Sequence, residues 1–131
     1  MYRESTHHEE LQIEVQAEPA YVKEESRPDD RYFFFSYTIR IKNTGDVPAK
    51  LVSRHWIITD GTGTVREVKG EGVIGQQPRL APGESYEYTS FCPLPTPTGN
   101  MRGSYLMVTD DGKTFEVKIP LFFLRDLGSL H

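Results

Sequence analysis

The 131-residue chain has a single cysteine, Cys92, so no intrachain disulfide can brace it and a packed core must hold the fold. It has no run of about 18 apolar residues. FFF at 33–35 and LFFL at 121–124 are strand-sized, which excludes a transmembrane helix. Metal-ligand spacings of the C-x-x-C or H-x-x-x-H kind are missing, as is an acidic calcium loop. No G-x-S-x-G elbow presents a nucleophile. Lysines and arginines form no dense cluster of the kind that neutralises phosphate backbones, which argues against nucleic-acid binding. The opening MYRESTHHEELQ puts no apolar stretch after its charges, so no signal peptide is expected and the expected compartment is the cytoplasm. No window has convincing helical periodicity.

What is present is an ordinary balance of 37% hydrophobic and 26% charged residues, in a chain of single-domain length. One domain over 1–131 is expected, loose at 1–10 and at 126–131. The net charge of −4 gathers at the front, where the first thirty residues hold nine acids against three bases. Such an acidic arm reads as a solvated segment.

Strand patterns dominate. In RYFFFSYTIRIKN, Phe33, Phe35, Tyr37, Ile39 and Ile41 share one face, and Ser36, Thr38, Arg40 and Lys42 the other. Phe34 breaks the alternation and is expected to cover an edge or to stand out as an aromatic contact. Leu11, Ile13, Val15 and Ala17 alternate with polar residues until Pro19, which predicts a shorter strand ending in a bend. NTGD at 43–46 predicts a hairpin turn, and KLVSRHWIITD, DGTG and TVREVKG predict a second hairpin. RLAPGESYEYTSF predicts a turn at Pro82-Gly83 feeding a strand with Tyr86, Tyr88 and Ser90 on one face. CPLPTPTGNMRG reads as a loop, followed by SYLMVT, a DDGK turn and TFEVKIPLFFL. About seven strands result, which predicts an all-β, antiparallel β-sandwich. LFFL and FFF hold more aromatics than one inward face absorbs, so some apolar surface is expected to remain, and a homodimer is a natural use for it.

The glycines at 70, 72 and 75 in KGEGVIGQQP fall at the G-x-G-x-x-G spacing of dinucleotide and kinase loops. A dinucleotide fingerprint works because an apolar strand delivers the glycines to a helix N-terminus, whose free N–H groups hold the pyrophosphate. Here TVREVK before them is half polar, and Pro78 and Pro82 after them leave no room for a helix. The glycines therefore read as a tight loop, with an anion nest of loop amides beside Lys69, Arg66 or Arg79 as the other reading. The candidate ligand or partner loops contribute Lys69, Gly70, Gly72 and Gly75 from one segment, and Thr98, Gly99 and Arg102 from the second, at 95–103.

Other reactive residue types are given structural roles. His7 and His8 are adjacent and point apart on an extended chain, and His131 is terminal. Cys92 precedes Pro93, with no helix N-terminus to activate its thiol. Asp110 and Asp111 sit in a turn. In RHWIITDG we place Trp56 in the core and His55 on the outer face, which leaves Arg54 undecided at the sheet end. No catalytic residue, metal site or cofactor is expected.

LAPGESY is similar to the turn-plus-tyrosine segment of fibronectin type III domains, where Tyr86 would tie a loop to the sheet; a core tyrosine at a strand start is the alternative. The ordered series RHW…DG, GEGVIGQQP, LAPGESYEYTS, TPTGNMRGSY and FEVKIPLFFL closely resembles the bacterial ApaG family over almost the whole chain. The resemblance implies a fibronectin type III-like sandwich without settled biochemistry. The bacterial members are linked to cobalt and magnesium resistance. Similar domains in eukaryotic F-box proteins imply use as a protein-binding module. The family's G-x-G-x-x-G is the source of a pyrophosphate or nucleotide suggestion. The expected function is thus a non-enzymatic protein-binding domain, with a small-ligand or anion binder as the alternative.

Overall fold

The protein is described by a computed structural model over residues 2–126. Nine strands follow in order: β1 (Glu4–His8), β2 (Ile13–Tyr21), β3 (Phe33–Asn43), β4 (Ala49–Asp60), β5 (Val65–Glu71), β6 (Arg79–Leu80), β7 (Ser85–Leu94), β8 (Thr98–Thr109) and β9 (Thr114–Arg125). They form two antiparallel sheets, one ordered β1-β2-β3-β7 and the other β5-β4-β8-β9 with β6 paired to β4. The predicted all-β sandwich is therefore the observed architecture. The two strands beyond the expected seven are the short β1 and β6. Among the described residues the helical content is two single turns, Lys23–Glu25 and Pro28–Asp30, and no helix is long and apolar enough to cross a membrane.

The core is made where the alternation said it would be. Phe35, Ile39 and Ile41 of β3 are fully buried, as are Ile13, Val15 and Ala17 of β2. Trp56 is buried between the sheets, with its ring centroid 5.2 Å from that of Tyr37 and 5.9 Å from that of Phe122. Tyr88 and Tyr105 meet hydroxyl to hydroxyl across the core, and burial pushes both phenols well above their ordinary value.

Four local expectations are corrected. Glu4–His8, expected to be loose, pairs along β2 from Ala17 to Ile13; of the other stretch expected loose, 127–131 lies outside the described residues. Pro19 does not end its strand, because β1 stops opposite Ala17 and leaves that part of β2 an edge, where proline is tolerated. NTGD is no hairpin: β3 and β4 lie in different sheets, and the buried Asn43 clamps the corner by donating from Nδ2 to the carbonyls of Val47 (2.9 Å) and Leu80 (3.0 Å). Most of the loop expected at 92–103 is strand, since β7 runs to Leu94 and β8 begins at Thr98.

Tyr86 takes the second of its two readings. It is half-buried against the core, 6.3 Å from the Tyr88 ring, and among the described residues no hydrogen bond ties it to a connecting loop.

Candidate functional site

A single extra residue in β4 sets the site. Opposite β8, Leu51 pairs with Met107 and Ser53 with Leu106, so Val52 is a bulge. A bulge shifts the inward face by one residue. Ala49 and Leu51 point into the core before it, and Arg54, Trp56 and Ile58 share the inward phase after it. The bulge thus turns an arginine in between the sheets, settling the residue that the alternation left undecided. The Val52 carbonyl freed there accepts the Gly72 N–H and the Gln77 Nε2, each at 2.9 Å, and this fastens the glycine segment to the bulge.

The glycine motif is the seat of this arginine. A β-carbon on Gly70 would stand 2.8–2.9 Å from Nη1, Cζ and Nη2 of Arg54, so the guanidinium lies against bare backbone. Gly72 has φ +63°, and a side chain there would meet the Gln76 carbonyl at 2.3 Å. Gly75, at φ +72°, follows Ile74 at φ +48°. Both are central residues of a turn that Val73 and Gln76 close with two backbone bonds of 2.8 and 2.9 Å. Two successive positive φ values define the primed hairpin turn, which favours Asn-Gly. A β-branched Ile74 in that position is strained, and its side chain is 58% exposed.

Two of the loop amides are committed to backbone carbonyls. The Gly72 and Val73 N–H groups already bond to the Val52 and Gln76 carbonyls. Arg54 adds side-chain donors beside them. Its Nη1 donates to the Glu71 (3.1 Å) and Gly72 (2.9 Å) carbonyls, while Nε and Nη2 donate to no described residue. Among the described residues no carboxylate forms an ion pair with it. Beside it the sheets part in a cleft of about 240 Å³, lined by Tyr37, Arg54, Trp56, Glu71, Ile74 and Ser90 among others. A second hollow of about 210 Å³ continues along the same side past Arg66, Val68 and Cys92.

The structure sets the glycines of the two groups at opposite ends of β4, while Lys69 and Arg102 flank that strand on its outer face, opposite His55 and Ile57. Gly72 bonds to Val52 near one end of β4, whereas Gly99 pairs with Asp60 at the other. Eight residue steps separate those anchors, roughly 26 Å at about 3.3 Å each. Lys69 pairs with His55 on the outer face, and Arg102 is exposed on β8. Thr98 and Gly99 lie against the β4–β5 turn, where the Gly61 N–H donates to Thr96 Oγ1 at 2.8 Å. Sequence reasoning missed Arg54 and Ser90. Only the bulge, visible once β8 is in register, could have revealed Arg54.

The remaining reactive groups are engaged locally. His8 accepts the Leu11 N–H (3.1 Å) and packs on Phe115, His7 bonds to Thr44, and His55 reaches Glu67 at 3.2 Å; His131 lies outside the described residues. Among the described residues no three His, Cys, Asp or Glu side chains converge on a point. Burial raises the Cys92 thiol, with Arg66 pulling weakly the other way. Asp110 is held below the usual carboxylate range by Arg79, which reaches it at 2.5 and 2.9 Å.

Comparison with known proteins fixes the family. Residues 23–109 match the model described as ApaG domain, two thirds of the chain. The chain belongs to the ApaG family. It is 56% identical over 119 residues to protein ApaG of Bordetella pertussis, covering 91% of each, and 55% identical over 119 residues to protein ApaG of Dechloromonas aromatica, covering 91% of this chain and 94% of that one. The crystal structure of the ApaA protein from Bordetella pertussis superposes with a TM-score of 0.85 at 57% identity, covering 86% of this chain and 92% of that one. This ApaG domain therefore carries its Arg54 seat on a fold common to the family.

Proposed function

We propose that this ApaG domain is a non-enzymatic, cytoplasmic interaction module that adds an extended segment of a protein partner to the open edge of β7. The observation that carries this is the contrast among the sheet edges. β1 has five residues, and β5 carries Arg66, Glu67, Lys69 and Glu71. β9 carries Pro120 at a register irregularity, and the N-terminal segment laces it where Thr6 Oγ1 donates to the Lys118 carbonyl and the Phe123 N–H donates to Tyr2 Oη. Short strands, charges, prolines and covers are the usual protections of an edge. β7, from Ser85 to Leu94, has Glu87 as its lone charge and Pro93 only near its end.

Backbone direction identifies the open groups. Phe34 turns its N–H to Ser26 Oγ (2.9 Å) and its carbonyl to the Val22 N–H (2.8 Å), away from β7. Its partner Pro93 consequently faces outward, and its carbonyl accepts Arg66 Nη2 at 3.0 Å. By alternation Phe91, Thr89 and Glu87 turn their backbone groups the same way. Beside them Phe91, 58% exposed, stacks 5.3 Å from Phe34, which lies 6.0 Å from Tyr32. Main-chain pairing supplies affinity in strand addition, and such an aromatic strip supplies selection. The buried Cys92, whose thiol burial holds protonated, and the locally bonded His7, His8 and His55 support a non-catalytic role.

A selection from random ten-residue peptides tests this. Selected peptides are expected to bind the wild type and to fail with Thr89→Pro, which removes an outward N–H and leaves the β3–β7 ladder intact. Equal binding to that variant would sink the proposal. A dimer abolished by the same substitution would assign the edge to a second copy instead.

A further inference from the structure

We propose that the cleft beneath the glycine turn is a binding site for a small organic acid, with Arg54 holding its carboxylate or phosphoryl group. The inference does not rest on pairing at β7. Two independent observations carry it.

The first is an uncompensated charge. Arg54 is half-buried between two sheets, flat against Gly70, with Nη1 fixed by two carbonyls. That anchoring orients the guanidinium and leaves the Nε–Nη2 side, one of the two edges that grip a carboxylate or phosphate by paired hydrogen bonds. No described carboxylate forms an ion pair with Arg54, and the acid lining the cleft, Glu71, meets Nη1 through its backbone carbonyl, so the Nε–Nη2 side still faces the cleft without a counter-ion. Tyr37 and Ser90 line the same cleft with their hydroxyls bonded to each other, and a pair of this kind keeps one O–H free for a ligand.

The second is the strained residue at the mouth. Ile74 occupies a left-handed position suited to asparagine, with its side chain exposed over a cleft whose lining includes it. Retaining an apolar, β-branched residue there gives the cleft a hydrophobic lip at the expense of the turn. A head group on Arg54 with a short apolar body under Ile74 satisfies both features. At about 240 Å³ the space is below the roughly 300–1,000 Å³ of drug-sized sites, so the ligand is small.

The test is a titration of labelled protein with inorganic phosphate, pyrophosphate and butyrate at low salt, following the Trp56 indole N–H and the Ser90 and Gly75 amides. Saturable shifts at these groups with a dissociation constant below about 1 mM, roughly 4 kcal/mol of binding free energy, are expected for at least one anion class. Saturation by butyrate alone assigns the site to carboxylates; saturation by phosphate or pyrophosphate alone assigns it to phosphoryl groups. Arg54→Gln is expected to weaken binding at least tenfold, and Ile74→Asn to weaken butyrate about threefold while leaving phosphate unchanged. Should Arg54→Gln disturb the fold, Ser90→Ala is read instead, with an expected loss of about threefold. Thr89→Pro must leave the anion affinity unchanged. Unsaturated shifts scattered over surface lysines and arginines, or undiminished affinity in both Arg54→Gln and Ser90→Ala, would overturn the proposal.

Discussion

Two stretches of this molecule are rich in glycine and look equally loop-like, yet their glycines do opposite things. In 70–75, Gly70 leaves room for a charged side chain and Gly72 and Gly75 hold left-handed backbone. In 98–103 the strand is regular enough to pair, and glycine leaves room for neighbouring backbone. A β-carbon on Gly99 would meet the Thr59 carbonyl at 2.7 Å, and one on Gly103 the His55 carbonyl at 2.0 Å. Glycine spacing alone therefore says little about ligands. What touches the missing β-carbon decides the role.

The sharpest way to break this contrast is Gly103→Ala. A backbone oxygen cannot swing aside as a side-chain tip can, so we expect a loss of roughly 3 kcal/mol, near the top of the overpacking range, measured by urea unfolding. Next comes Gly72→Ala, which combines a left-handed position with a collision at the Gln76 carbonyl. About 2 kcal/mol is expected, from strain of about 1–2 kcal/mol plus crowding. Ile74→Asn should change stability in the other direction, gaining about 0.5–1 kcal/mol because the primed turn accepts asparagine. A loss there would show that the lip packs more than it strains.

The smallest effect separates the two ends by pH. At the 98–103 end, the Thr62 hydroxyl and the Thr62 and Thr64 N–H groups bond to Asp60 and hold its carboxyl below its ordinary value. A depressed folded-state pKa contributes stability that is present above the unfolded value of 3.8 and is lost as pH falls through the folded one. The protection of the Thr62 and Thr64 amides, relative to their intrinsic exchange rates, should therefore fall below about pH 4, before that of the Gly72 amide responds. Simultaneous loosening of both ends would contradict this.

The sequence made the core legible because a two-residue period needs no partner to be seen. The inward face of β3 follows from it directly, whereas Trp56 is placed inside because sandwiches bury a tryptophan, its strand having apolar residues on both faces. Relations between strands were not legible. The bulge at Val52 is an extra residue only in comparison with β8, and without it Arg54 would point outward. Pro19 is harmless only because β1 ends beside it, and 98–103 is strand only because His55 and Thr59 present carbonyls where glycines stand. The two proline-flanked features read correctly, the absent helix after Gly75 and the turn at Pro82-Gly83, are local ones.

The central claim is that the glycine motif exists to seat Arg54. A double-mutant cycle measures it most directly, using denaturant unfolding of the wild type, Gly70→Ala, Arg54→Ala and the pair. Gly70→Ala should cost about 1.5 kcal/mol when the guanidinium lies against it and almost nothing once Arg54 is alanine, a coupling of about 1 kcal/mol or more. Costs that add to within about 0.5 kcal/mol would mean that Gly70 serves the backbone alone, and the seat would lose its meaning.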